Sequence, residues 1–151
     1  MVSKVLSVED ASLDKSTTLS GSRNKDYIDL DASLAVKPTT GDVYKKLNAN
    51  SVKQAVKLLL LTNRGERPFA PFLGGNLNDF LFELAEPGTE NDIEFNVRET
   101  IRVYEPRVNI DTLLVDVNIM PDYNSVSITV VFQVINTNET VELTTRLNRL
   151  R

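Results

Sequence analysis

Few side chains in this chain are suited to catalysis, because its 151 residues include no His and no Cys. Without His it lacks the usual general base and the commonest metal ligand, and without Cys it has no thiolate nucleophile and no disulfide. Glycan hydrolysis by two carboxylates stays formally open, and Glu66 and Glu83 are its candidates by elimination. Only 7% of the residues are aromatic and none is Trp, which leaves little for stacking a sugar. We therefore expect no catalytic residue, no metal site and no cofactor.

A charged motif, Glu105-Pro106-Arg107, follows an amphipathic stretch. The proline fixes the direction of the chain, so the two charged side chains extend from a rigid corner. Arg107 also lies where the C-terminus of a helix favours a cation. On spacing alone the motif predicts an ordinary helix end with an exposed ion pair, worth about 0–1 kcal/mol.

A second charged group precedes a segment rich in Pro, Phe and Gly. Its members are Arg64, Gly65, Glu66 and Arg67. The following residues contain a P-x-x-P match at 68–71, a pattern that is common by chance. Gly74-Gly75 lacks the Lys-Ser/Thr of a phosphate-binding loop, so it gives little support for nucleotide binding. The simpler interpretation is a connection between two helices in which Phe69 and Phe72 cover the core.

The charge balance disfavours a nucleic-acid partner. With 17 basic and 21 acidic residues the net charge is −4, whereas binding to a phosphate backbone normally needs a basic domain or stripe. Residues 79–99 carry seven acids against one base, which indicates a solvated helix face or a surface for a basic partner. Every Lys lies at or before Lys57 and every later basic residue is Arg, either by chance or because the later charges make fixed contacts.

The length and the hydrophobic pattern predict one soluble, unsecreted domain without membrane contact. The longest apolar run, Leu58–Leu61, is far shorter than the ~20 residues that span a bilayer. Residues 1–26 are polar and aperiodic and are predicted to form an extended or mobile arm, with a single domain over residues 27–151. Within that domain Tyr27–Leu30 alternates like a short strand, and residues 31–48 are predicted as loop with at most one helical turn.

Three stretches have the periodicity of amphipathic helices. The first, residues 51–65, begins with a capping-box pattern at Ser51 and Gln54 and ends near a glycine. The second is short and covers residues 77–84. The third, residues 91–105, is capped by Asn and Asp at its start and stops before a proline, because the residue before a proline disfavours helical angles.

Beyond the Glu-Pro-Arg motif the period changes from that of a helix to that of a strand. Apolar residues alternate over residues 113–119, 126–134 and 141–147. Turn residues at 121–124 and 136–139 separate these runs, which predicts an antiparallel meander of three strands. Helices followed by strands indicate the α+β class.

The last predicted strand ends the chain, so we expect it at an edge of the sheet. It comprises Thr140, Val141, Glu142, Leu143, Thr144, Thr145 and Arg146. An edge strand carries unpaired backbone groups on which a strand of another chain can form. Three arginines near the end, Arg146, Arg149 and Arg151, steer an acidic partner or, as the more ordinary role, protect the edge.

Together these motifs resemble a known family. In chain order they are an apolar helix, Leu61-Thr62-Asn63-Arg64-Gly65-Glu66-Arg67, Phe72 with Gly74-Gly75-Asn76-Leu77, Glu105-Pro106-Arg107 and the strand meander. This order resembles the small baseplate wedge proteins of contractile-tailed phages, which include the sheath-initiator subunits of related injection machines. The resemblance covers about residues 27–147, and its T-x-x-G-E-R and E-P-R elements are specific in combination.

The resemblance implies a structural role in a phage tail. Family members have a small α+β fold related to the inner part of the tail sheath protein. They lie in the baseplate wedge around the central hub, in six copies per ring, and pack into a helical bundle with other wedge proteins. The expected location is therefore the virion, with assembly in the host cytoplasm. The expected partners are other wedge proteins and the tail sheath protein.

The resemblance also assigns roles to individual residues. It implies that Glu105, Pro106 and Arg107 carry the wedge-assembly contact, where truncating one partner of a buried ion pair costs about 2–5 kcal/mol. It implies a scaffold role for residues 64–67 and strand addition by the sheath protein on residues 140–146.

Two other functions stay open. Some members of the family carry a lysozyme-like label, which would make the chain a carboxylate glycan hydrolase dependent on Glu66. A free-standing adaptor that uses the proline-containing loop is the third possibility.

Overall fold

The described part of the chain, residues 26–81, 88–120 and 125–148 of a computed structural model, contains two short strands, three helices and three longer strands. In chain order they are β1 (Ile28–Leu30), β2 (Lys45–Leu47), α1 (Asn48–Leu61), α2 (Leu77–Phe80), α3 (Thr89–Tyr104), β3 (Val108–Met120), β4 (Ser125–Val134) and β5 (Thr140–Asn148). The α+β class predicted from the sequence is confirmed.

Several predictions concern residues outside the described ranges. They are the N-terminal arm up to residue 25, the second half of the second predicted helix, the candidate acid Glu83, the turn at residues 121–124, and Arg149 and Arg151. The division into an arm and a domain therefore stays a prediction.

Helix α1 begins before its predicted cap. Its N-cap is Leu47, without a capping hydrogen bond from a side chain, so the capping box at Ser51 and Gln54 is wrong. Both polar side chains bond to the N-terminal segment instead. The Ser51 hydroxyl donates to the Asp29 carboxylate, and Gln54 Nε2–H donates to the Leu30 carbonyl at 2.8 Å. These residues therefore join the helix to β1.

Helix α1 ends at Leu61, earlier than the predicted stop at Gly65. Thr62 has extended backbone angles, and its amide and hydroxyl both donate to the Leu58 carbonyl, at 3.0 and 2.7 Å. The last turn is thus closed by a threonine, and the glycine belongs to the loop that follows.

Helix α3 is longer than predicted at its start and ends where predicted. Its N-cap is Gly88, whose φ of +118° is a conformation that favours glycine, so the predicted cap at residues 91–94 is wrong. Glu90 and Asp92 place negative charge in the first turn, where the helix dipole favours it. The helix ends at Tyr104, two residues before the proline that predicted the stop.

The alternating pattern predicted the faces of the three-stranded sheet correctly. Strands β3, β4 and β5 pair antiparallel, with β4 in the centre. Val130 lies opposite Val115 on one side and Leu143 on the other, and Phe132 lies opposite Val141. Because the register joins apolar residues to apolar residues, one face of the sheet is apolar and packs against the helices.

The first part of β3 is irregular. The register with β4 shifts between Asn109 and Leu114. The Thr112 hydroxyl donates to the Asn109 carbonyl at 3.0 Å and accepts the Gln133 amide at 3.2 Å, so side-chain bonds replace part of the ladder. This irregularity explains why the alternating pattern begins only at residue 113, although the strand begins five residues earlier.

The prediction of loop for residues 31–48 is wrong at its end, where β2 forms. Strand β2 pairs antiparallel with β1, and Lys46 lies opposite Asp29. The alternation in residues 27–30 predicted β1 correctly, whereas the three residues of β2 are too few for such a pattern to stand out. We call residues 26–47 the N-terminal hairpin.

Helices α1 and α3 cover the apolar face of the three-stranded sheet and form the core with it. These two helices contribute Val52, Val56, Leu60, Ile93, Val97 and Ile101 to the core cluster, and the largest fully buried side chain is Phe132 of the central strand. In the described ranges, no helix has both the length and the apolarity needed to cross a bilayer. The core thus fixes the end of α3 beside β3, where the candidate site lies.

Candidate functional site

The Glu105-Pro106-Arg107 motif forms the tight connection between α3 and β3. The Glu105 amide donates to the Ile101 carbonyl at 2.9 Å and so closes the helix. The Val108 amide donates to the Glu105 carbonyl at 3.2 Å, which begins the strand immediately. Both charged side chains therefore leave one short turn between two packed elements.

Glu105 and Arg107 form a two-pronged ion pair within the chain. Arg107 Nε–H donates to Oε1 of Glu105 at 2.6 Å, and Nη2–H donates to Oε2 at 2.9 Å. The Glu105 side chain is 7% exposed and that of Arg107 is 23% exposed. Parallel charge-assisted bonds in such a setting are strong. The expectation of an exposed ion pair is therefore wrong.

The same guanidinium group also reaches the N-terminal hairpin. Arg107 Nη1–H donates to Oδ2 of Asp29 at 3.1 Å and to the hydroxyl of Ser51 at 3.4 Å. Ser51 is fully buried and itself donates to the Asp29 carboxylate. The guanidinium carbon lies 5.5 Å from the centre of the Tyr27 ring, a cation–π distance. We call these residues, with Glu105, the Arg107 cluster.

The electrostatics of the cluster favour the ionised forms of Arg107 and Asp29. The pKa of Arg107 is raised, chiefly by its hydrogen bonds to the Glu105 carboxylate, although burial opposes the shift. The pKa of Asp29 is lowered, first by the hydrogen bond from Ser51 and further by Arg107. Arg107 makes four hydrogen bonds inside the chain, and an arginine has five N–H donors, so little donor capacity is left for another chain.

The sequence predicted only part of this cluster. Glu105 and Arg107 were candidate site residues, whereas Tyr27, Asp29 and Ser51 were not. Asp29 is 78 positions from Arg107 along the chain, and no local pattern joins them. The one available signal was the alternation in residues 27–30, which places Tyr27 and Asp29 on the same face of a short strand.

The second charged group lies in the loop between α1 and α2. Its members are Arg64, Gly65, Glu66 and Arg67, all exposed. The Glu66 carboxylate accepts the backbone amide of Asn63 at 3.0 Å and its Nδ2–H at 2.8 Å, and the Gly65 amide donates to the Pro71 carbonyl at 2.8 Å. Glu66 thus makes a local turn with Asn63 at the start of the loop. A scaffold role for the whole signature stays a prediction.

The rest of this loop is attached to α3. Asn96 Nδ2–H donates to the Gly75 carbonyl at 3.0 Å, and the Tyr104 hydroxyl donates to the Phe72 carbonyl at 2.9 Å. The prediction that the two Phe side chains cover the core is wrong, because Phe69 is fully exposed and Phe72 is 78% exposed. Hydrogen bonds from side chains of α3 to backbone carbonyls of the loop, rather than packing of the two Phe rings, hold this loop.

The carboxylate pair considered for glycan hydrolysis finds no support at Glu66. Retaining and inverting glycosidases hold two carboxyl groups about 5–9.5 Å apart across a cleft. Glu66 instead lies on an exposed turn with both oxygens bonded to Asn63, and Glu83 is outside the described residues. Across residues 26–81, 88–120 and 125–148, no group of three acidic side chains is placed to hold a metal ion.

Strand β5 lies at the end of the strand order β3-β4-β5, in agreement with the predicted edge. It pairs with β4 from Thr140 to Asn148, and within the described residues no strand pairs with its other side. Val141, Leu143 and Thr145 face the core, while the residues between them are exposed. The packing of every second residue fixes the face and the register of this edge.

Comparison with known proteins assigns the chain to a family of phage structural proteins. The sequence profile of the family "Baseplate wedge protein gp25" matches residues 47–139, which include residues 64–67 and 105–107. Baseplate wedge protein gp25 of Enterobacteria phage T4 is 36% identical over 121 residues, covering 79% of this chain and 88% of that protein. The chain belongs to the baseplate wedge protein gp25 family, as the resemblance predicted.

Solved structures have the same fold. A protein described as a proposed tail lysozyme of Geobacter sulfurreducens is similar at a TM-score of 0.58 and 25% identity, covering 66% of this chain and 89% of that one. A chain of the six-fold symmetrised baseplate of the anti-feeding prophage is similar at a TM-score of 0.57 and 21% identity, covering 80% of this chain and 84% of that one. The family match makes the chain a baseplate wedge structural protein of a contractile phage tail or a related injection system, and the two solved structures agree with it in fold.

Proposed function

We propose that this protein helps to assemble the baseplate wedge and offers the edge of β5 as the place where the tail sheath starts to polymerise. The observation that carries the proposal is the open edge of β5 in a member of the wedge family. The proposed partners are other wedge proteins and the tail sheath protein, with six copies per ring. The proposed location is the tail of a virion assembled in the host cytoplasm, and the function includes no catalytic step.

The edge of β5 has the properties that strand addition requires. An edge strand presents a row of backbone N–H and C=O groups without partners, and main-chain hydrogen bonds to an added strand supply affinity. β5 offers nine residues, Thr140–Asn148, in one register. The proposed contact residues are Thr140, Val141, Glu142, Leu143, Thr144, Thr145 and Arg146. An added strand would extend the three-stranded sheet to four strands.

The Glu105-Pro106-Arg107 motif contributes to wedge assembly in an indirect way in this proposal. Its charged groups already bond to one another and to Asp29, so their main effect is on the position of the N-terminal hairpin. The opposite face of that hairpin carries Ile28 and Leu47, which lie across from each other and are 57% and 54% exposed. A neighbouring wedge protein would pack on this apolar face. The Arg107 cluster holds the other face of the hairpin against α1.

Amide hydrogen exchange tests the role of β5. When the full chain is mixed with the tail sheath protein of the same particle, we expect exchange in residues 140–148 to slow by about tenfold or more, because outward amides gain partners. The outer edge of β3, residues 114–120, is the matched control, since it is the other edge of the same sheet. Unchanged exchange in β5, or protection of β3 instead, would contradict the proposal.

A further inference from the structure

A groove of about 540 Å³ runs beside β5, between that strand, α1 and the N-terminal hairpin. Leu143 and Thr144 form its wall on the side of the sheet, and Lys46 lies on the side of the hairpin. Helix α1 supplies the floor with residues at helical spacing, among them Lys53 and Lys57. A strand added to β5 would therefore lie along this groove.

The groove carries uncompensated positive charge. Lys46 pairs with Asp31 at 3.7 Å, so that cation has a partner. Lys53 and Lys57 are both exposed, and no carboxylate in the described ranges lies within ion-pair distance of either. Two lysines without a carboxylate partner among the described residues thus line the space beside the sheet edge.

We propose that the segment which adds to β5 is an acidic strand, with carboxylates at alternate positions on the side that faces α1. This inference rests on the proposed strand addition and specifies the chemistry of the partner. Lys53 and Lys57 of α1 are the residues that recognise it.

The geometry of a sheet leads to this pattern. A fourth strand would lie about 4.8 Å beyond β5, and its successive side chains would point to opposite faces. α1 packs on the face of the sheet that carries Val141 and Leu143, so every second residue of the added strand faces this helix. Neutral or apolar residues at those positions would remove water from Lys53 and Lys57 without compensation, which is unfavourable. Carboxylates would compensate both charges.

Three eight-residue probe peptides test the preference on the full chain. Their sequence is Thr-X-Val-X-Thr-X-Val-X, where X is Glu, Gln or Lys throughout. At low salt we expect the Glu peptide to bind about tenfold more tightly than the Gln peptide, which is the effect of two exposed ion pairs, and the Lys peptide to bind most weakly. At about 1 M salt, where the screening length falls to about 3 Å, the difference should largely disappear.

A pair of double variants locates the effect. Lys53→Gln with Lys57→Gln should reduce the affinity for the Glu peptide to that for the Gln peptide. Arg98→Gln with Arg102→Gln changes the net charge equally, from an exposed face of α3, and should leave that affinity within about twofold. Equal binding of the Glu and Gln peptides, equal losses in both double variants, or no binding of any peptide would overturn the inference.

Hydrogen exchange in the presence of the Glu peptide separates this inference from the proposed function. Slower exchange in residues 140–148 supports both. If the Glu peptide binds through Lys53 and Lys57 but β5 is not protected, strand addition is wrong and the preference for carboxylates stands. If the sheath protein protects β5 but the lysine double variant binds the sheath protein as the wild type does, strand addition stands and the preference for carboxylates is wrong.

Discussion

Replacing Arg107 with alanine is expected to lower the free energy of unfolding by about 3 kcal/mol, because the Glu105 carboxylate would stay buried without its cation. That carboxylate is 7% exposed and receives two hydrogen bonds from Arg107. For a domain of this size the loss corresponds to a fall in melting temperature of roughly 6–12 °C. Urea unfolding followed by circular dichroism measures it.

Arg98→Ala is the matched control for this prediction. Arg98 also pairs with a glutamate, Glu94, at 3.4 Å, but both side chains are 40% or more exposed. Its removal should cost about 0.5 kcal/mol or less. Equal losses in the two variants would show that burial of the Arg107 pair contributes nothing. The loss in free energy of unfolding in the double variant Glu105→Ala with Arg107→Ala should be smaller than the sum of the two single losses by about 1 kcal/mol or more.

These stabilities change how assembly mutants are interpreted. A wedge defect after substitution of Glu105 or Arg107 reports a lost contact only if the variant is still folded and the N-terminal hairpin is still held by the Arg107 cluster. Hydrogen exchange in residues 26–47 distinguishes the two causes, because release of the hairpin would speed exchange there by more than the loss of global stability speeds it in the three-stranded sheet.

Gly74→Ala is expected to lower the free energy of unfolding by about 3 kcal/mol, through backbone overlap rather than lost contacts. Gly74 has a φ of +129°, a conformation that other residues rarely adopt. A Cβ atom there would overlap with the carbonyl oxygen of Thr62 and lie 2.9 Å from its carbonyl carbon. Because Thr62 closes α1, the backbone of the helix end would have to move. Chemical denaturation of the purified variant measures the loss.

Gly65→Ala is the comparison for that variant, since it lies in the same loop and also has a positive φ, +84°. Apart from its chain neighbours, no atom of the described residues lies within 4 Å of the position that a Cβ would take there, so only the conformational cost remains, about 1 kcal/mol. If the two alanine variants lose the same stability, close packing at Gly74 is not what requires the glycine.

The three-stranded sheet could be predicted almost completely from the sequence. Its alternating residues, such as Val126 to Val134, all lie on the buried face, because a period of two leaves only one register that buries them. The end of α3 could also be predicted, since a proline limits the residue before it. These features depend on local rules that act over a few residues.

The remaining features depend on contacts between distant segments. The Ser51 and Gln54 pattern matched a capping box, yet both side chains bond to β1, and only tertiary packing decides between these uses. The bond from Arg107 to Asp29 likewise requires the N-terminal hairpin, whose strands have three residues each. The sequence motif therefore located the site, but only the folded structure showed which distant residues contact Arg107.

A cryo-electron microscopy reconstruction of the assembled particle at the junction of baseplate and sheath tests the account most directly. We predict that it will contain a strand of another chain beside β5, about 4.8 Å away and hydrogen-bonded along residues 140–148, with carboxylates near Lys53 and Lys57. We also predict that Arg107 keeps its bonds to Glu105 and Asp29 in the particle. A sheath contact elsewhere on the chain, with β5 left without a neighbouring strand, would contradict the account.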